Sequence, residues 1–135
     1  MGSVSSKLKS ERKLINKMVS WFEIPVFDLQ RAVAFYDEIF QIHMETLIQP
    51  DYAIAFFPAD GGNGGALVMG QGCIPSEAGT LLYLNGGNNL SDILARVEPA
   101  GGRVILAKSL INEDAGYFSL FIDTEGNKLA LHSKN

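Results

Sequence analysis

The chain has 135 residues, 47% of them hydrophobic and 19% charged, which fits one compact globular domain and argues against disorder. No apolar run reaches the roughly 18 residues of a membrane helix, and no apolar signal core marks the N-terminus, so neither membrane insertion nor export is expected. The net charge of −4 is uneven: Lys7, Lys9, Arg12, Lys13 and Lys17 against Glu11 put +4 on residues 1–17, leaving −8 on the rest, an acidic body that argues against nucleic-acid binding.

In chain order, residues 1–17 read as a basic extension, with a short surface helix expected over 5–17. Met18 is an alternative start, and the folded domain is expected over 18–134. Its first strand spans 18–26, with Pro25 restricting pairing near the end. Asp28 caps a helix over 29–40, whose apolar Leu29, Val33, Phe35, Tyr36 and Phe40 form one face. Strands are expected at 42–47, 52–57 and 65–69. The Gly-rich segment from Asp60 to Gly65 is a turn; a phosphate loop would need a following Lys-Ser or Lys-Thr and then a helix. After a linker over 70–79 come a strand at 80–85, a helix at 89–98 and a strand at 103–107. A polar loop over 108–115 follows, and a hairpin over 116–132 turns at Asp123-Thr124-Glu125-Gly126-Asn127. The lone Cys73 lies in the linker without a neighbouring His, a bystander thiol suited to a reducing cytoplasm.

The chain repeats itself. Tyr52 to Gly61 aligns with Tyr117 to Gly126, placing Phe56 on Phe121, and Leu67 falls on Ala130 if the turn gains two residues. Each copy follows a strand and a helix, so module 18–70 and module 79–134 both read strand, helix, three strands. This order, with Asp28 to Tyr36, Gly101-Gly102-Arg103-Val104 and Asp123 to Asn127, resembles the vicinal oxygen chelate superfamily over residues 19–133. That superfamily includes glyoxalase I, bleomycin-resistance proteins and extradiol dioxygenases. The resemblance implies an α+β fold, two βαβββ modules forming an incurved mixed sheet around a cup. It does not choose among the chemistries of that fold.

The superfamily's metal enzymes carry His or Glu on the first and last strands of each module. By motif those positions fall here on Trp21, Leu67, Thr80 and Ala130, none of which offers an imidazole or carboxylate. With two histidines in the chain, His43 and His132, no metal site and no cofactor are expected. Strand alternation adds Glu23 to the face of Trp21, and His132, with Lys128, to that of Ala130. Their counterparts in the repeat are Leu82 and Met69. Glu23 is thus a candidate general acid or base, with His132 as its partner or a substrate anchor; alternatively Glu23 bonds backbone or water and His132 is simply exposed. Trp21, Leu67, Met69, Thr80, Leu82 and Ala130 are the candidate ligand-binding residues. Lys108 could draw an anion to the mouth or be a surface lysine, and no nucleophilic triad is visible around Ser20 or Ser119.

Three functions follow in order: a protein binding a small organic molecule without a metal, an enzyme of lyase or isomerase type using Glu23, and a metal-dependent lyase or dioxygenase with displaced ligands. The resemblance also implies a homodimer.

Overall fold

A computed structural model describes residues 11–61 and 64–135. Strand β1 (Trp21–Pro25) leads to helix α1 (Leu29–Phe40), then β2 (Glu45–Ile48), β3 (Tyr52–Phe56) and β4 (Gly64–Gly70). The second half repeats this order with β5 (Tyr83–Asn85), α2 (Ser91–Val97), β6 (Arg103–Asn112), β7 (Gly116–Ile122) and β8 (Lys128–Ser133). Each half builds a four-stranded mixed sheet, ordered β1-β4-β3-β2 and β5-β8-β7-β6. In both, the first and last strands run parallel and the others antiparallel. The matching orders bear out the duplicated βαβββ module. No helix among the described residues is long and apolar enough to cross a membrane.

Helix α1 keeps its expected bounds because both ends are chemically fixed. Asp28 accepts a hydrogen bond from the Arg31 backbone N–H, 3.1 Å, and Gln41 ends the helix in the left-handed conformation. Leu29, Ala32, Phe35, Tyr36 and Ile39 are buried, the three- and four-residue spacing of one helix face. Phe35 meets Phe121 of the second module, ring centroids 6.1 Å apart. The helix therefore stands in a core shared by both sheets.

Several boundaries differ from expectation. Residues 12–20 are neither helix nor strand, so the helix expected over 5–17 is absent from 12–17; its residues 5–10 lie outside the described residues. Strand β2 begins at Glu45 because Asp37 holds the preceding segment: its carbonyl accepts from Ile42 N–H at 3.0 Å and its carboxylate from Met44 N–H at 2.9 Å. The polar loop expected over 108–115 is largely strand. β6 runs to Asn112 beside β7, with register shifts after Val104, Leu106 and Leu110 that absorb the extra length.

Register separates two faces on each sheet. In the first, Ile24, Leu67 and Ala55 form one row, each at most 3% exposed, on the helix side. Trp21, Glu23, Ala66, Val68, Ile54 and Phe56 lie on the opposite, open face. In the second, Leu84, Leu131 and Ser119 form a core row, and Tyr83, Ala130 and Leu120 an open one.

The Asp-Thr-Glu-Gly-Asn turn fastens the halves together. Glu125, its side chain fully buried, accepts from the backbone N–H groups of Phe27 and Asp28 at 2.9 and 2.8 Å. Arg31 adds two more bonds, 2.8 Å from Nε and 3.0 Å from Nη2. The carboxylate thus occupies the N-terminal end of α1, where unpartnered N–H groups and the helix dipole favour a negative charge. Asp123 accepts the Tyr36 hydroxyl at 2.7 Å and the backbone N–H groups of Glu125 and Asn127. Asn127 donates to the Pro25 carbonyl at 2.7 Å and accepts from Ser76 N–H at 3.1 Å.

Two outcomes follow from this brace. Burial alone raises the Glu125 carboxyl, but the bonds from Arg31, Asp28, Thr124 and Phe27 outweigh it and leave it below its ordinary 4.5. A depressed folded value means that stability is fully present above pH 4.5 and is lost as pH falls through the folded value. Glu125→Gln should cost about 2 kcal/mol at neutral pH in urea unfolding, and its acid loss should be shallower than that of the parent. Burial and the neighbouring Asp123 charge hold the Tyr36 phenol well above 10. An alkaline absorbance titration should therefore show a tyrosine component that ionises only as circular dichroism reports unfolding, and Tyr36→Phe should remove it.

Candidate functional site

The open face of the first sheet starts from β1. Trp21 is 45% exposed, and its indole Nε1 donates to Glu23 Oε2 at 3.3 Å. The indole lies over Gly64, where an added Cβ would stand 3.2 Å from the ring, so glycine makes room for it. Phe56 of β3 completes the wall, its ring centroid 6.3 Å from that of Trp21. Glu23 is exposed, and its partner is this indole rather than a cation.

Where β1 approaches the start of β8, the two modules leave a cleft of about 170 Å³. Glu23 and Pro25 line it from the first module, Ser76 and Thr80 from the linker, and Lys128 and Leu129 from the second. Asn127 fixes the gap, since it holds both the Pro25 carbonyl and the Ser76 N–H. Ser76 Oγ accepts from Ala78 N–H at 2.9 Å, which leaves its own hydroxyl hydrogen available. Neither Glu23 nor Lys128 forms an ion pair among the described residues.

His132 lies elsewhere, on the open face of the second sheet beside Asn85 and Phe118. Its Nε2 is 2.6 Å from the Ala115 carbonyl; a carbonyl only accepts, so that nitrogen carries the proton and Nδ1 remains available. A broader cleft of about 550 Å³ includes His132, Tyr83, Asn85 and Lys134. The expected partnership of His132 with Glu23 is not formed: the two line separate clefts.

Leu67 and Met69 also need correction. β1 and β4 pair Trp21 with Gly64 and Glu23 with Ala66, so the open face of β4 carries Gly64, Ala66 and Val68. Leu67 is fully buried on the opposite side and Met69 packs against the same core. Leu82 also packs against the core, although its edge reaches the seam cleft. Thr80 lies in that cleft before β5 begins, and Ala130 is on an open face but wholly covered. The repeat alignment was one residue out of step. Phe56, which it placed on Phe121, is 38% exposed and pairs with Ala66, whereas Phe121 is fully buried and pairs with Leu129. Ala55 opposite Leu67 is the true counterpart of Ser119 opposite Leu131, and Phe57, bonded to Gly65, that of Phe121 opposite Leu129; a slip of one turns every side chain to the other face.

Sequence reasoning missed Ser76, which reaches the site only through the Asn127 contact, 51 positions away. Lys128 was placed on the right face by alternation but given no role. Lys108, weighed as an anion attractor, instead lies 4.6 Å over the Tyr117 ring and bonds Asn89 Oδ1 at 3.0 Å.

Among the described residues no three His, Cys, Asp or Glu side chains group closely enough to hold a metal ion. The open faces offer Glu23, occupied by an indole N–H, Glu45, opposite Phe56 on the outer strand, and His132, tied to a backbone carbonyl. Within one chain this donor set does not fit the divalent site found on this architecture.

No protein-family model matches the chain, and no curated protein does either. Solved structures do match. A glyoxalase/bleomycin resistance protein from Albidiferax ferrireducens T118 is similar at TM-score 0.65 and 17% identity, over 87% of this chain and 99% of its own. A glyoxalase/bleomycin resistance protein/dioxygenase family enzyme from Burkholderia phytofirmans PsJN gives 0.62 and 16%, over 86% and 98%. A glyoxalase I mutant from Zea mays gives 0.61 and 16%, over 83% of this chain but 43% of that one, so the chain spans less than half its length. At such identities the likeness is one of architecture: the chain has the glyoxalase/bleomycin-resistance/dioxygenase fold, that of the vicinal oxygen chelate superfamily.

Proposed function

We propose that this protein binds a small organic molecule against the open face of its first sheet, with Trp21 and Glu23 as the contacts. The observation that carries this reading is the exposure of an indole, a phenyl ring and a carboxylate together on one sheet face, Trp21 at 45% and Phe56 at 38%. Aromatic area of that kind is normally buried, and left open beside one polar group it suits a partly apolar ligand. The glyoxalase and bleomycin resistance names of the structural neighbours agree with such a role.

Catalysis by Glu23 is the second reading. Only Oε2 is engaged, by the indole, so the other carboxylate oxygen is available to take or give a proton. The cup is completed, on this proposal, by a second copy. Both sheets turn their helix-side faces into one shared core, so neither open face is covered by another element among the described residues. Leu47 and Tyr52, 45% and 49% exposed, extend the apolar surface of the first sheet, as an interface would.

Glu23→Gln should weaken ligand binding at least about tenfold, or abolish turnover, while shifting the melting temperature by less than about 2 °C, since an exposed side chain carries little stability. A large loss of stability instead would make Glu23 structural. Light scattering should give twice the chain mass, and a monomer at micromolar concentration would remove the shared cup.

A further inference from the structure

The seam cleft contains two opposite charges that do not neutralise each other. Glu23 comes from β1 of the first module and Lys128 from the first residue of β8 in the second. Both line the same hollow, yet the ion pair formed among the described residues is elsewhere, between Arg31 and Glu125. The backbone beneath each charge is pinned. Asn127 precedes Lys128 and holds Pro25, two residues beyond Glu23, through a 2.7 Å bond. The Lys128 backbone N–H in turn reaches the Ser76 carbonyl at 3.4 Å.

We infer that the seam cleft is a binding site for a small zwitterion of the α-amino-acid class, its ammonium meeting Glu23 and its carboxylate meeting Lys128. This deepens the reading that Glu23 faces the ligand and rests on it. Charge-assisted hydrogen bonds at both ends are the strong ones, and a ligand carrying both charges leaves neither protein group facing an uncompensated partner. The floor sets the side chain. Leu82, Leu129 and Ile24 are apolar, and Thr80 and Ser76 add hydroxyls. At about 170 Å³ the space is below the roughly 300 Å³ where drug-sized pockets begin and holds on the order of six water-sized groups. Small aliphatic or hydroxylated amino acids fit that volume and lining; aromatic ones do not.

Trp21 is the only tryptophan and touches Glu23, so its emission reports occupancy of that carboxylate. The full chain is titrated with alanine, valine, serine and threonine, with their N-acetyl derivatives, which keep only the carboxylate, and with their amides, which keep only the ammonium. Saturable emission changes are expected with at least one free amino acid, at least about tenfold weaker with either single-charge analogue. Glu23→Gln should erase the preference for the free amino acid over its N-acetyl form, and Lys128→Met the preference over its amide. The exchange Glu23→Lys with Lys128→Glu should recover more binding than either single change. Circular dichroism shows that each variant is folded. Equal binding of the single-charge analogues, or unaltered binding by both single variants, overturns the inference. A panel of neutral aromatic and aliphatic compounds runs in parallel. If that panel moves the emission and no amino acid does, the zwitterion is wrong while the broader binding role stands; if neither panel moves the emission or the melting temperature, both are wrong.

Discussion

The fold turns on one buried carboxylate. Glu125 sits at the tip of the last hairpin, yet four of the five bonds to its carboxylate come from the segment at the start of α1, more than ninety positions earlier. An isolated buried charge would be strongly unfavourable. Here the helix N-terminus and a guanidinium compensate it, and the compensation exists only when the modules are docked. Tyr36 and Asp123 work alongside from within the core, where Tyr36 OH would otherwise be a buried donor without a partner. Two halves that share a hydrophobic interior through α1 are thereby also keyed by polar geometry, which favours one docking over others.

That docking decides which surfaces remain available. Both sheets give their helix-side faces to a single interior in which Phe35, Tyr36 and Phe121 meet. What is left over is a pair of outward faces and the seam between them. The seam is the more defined of these places, since Asn127 bridges β1 and the linker with one side chain.

Local chemistry was legible in the sequence where it is self-contained. Asp28 with its following apolar spacing specified α1, and Asp123 to Asn127 specified the last turn. The order of elements revealed the duplication because strand and helix periods differ. Facing was harder. The match of Phe56 with Phe121 drew the repeat alignment into the wrong step, because the true counterpart of Phe121 is the neighbouring phenylalanine, Phe57. Phe57 reaches the core as Phe121 does, in edge contact with Tyr36 at 5.5 Å. Within β1, alternation sufficed to put Trp21 and Glu23 together; across modules, the contacts that bring Ser76 and Lys128 to Glu23 span 51 to 102 positions and leave no local pattern.

The placement of Asn127 has an evolutionary consequence. It anchors the frame from inside, whereas Glu23, Thr80 and Lys128 decorate the rim and bear little of the packing. On the proposed reading of the seam as a binding site, descendants of this chain can exchange those rim side chains, and with them molecular preference, without loosening the frame that holds them apart. Drift in selectivity is thus cheap here and drift in the anchor is not, which is how one architecture comes to host many specificities.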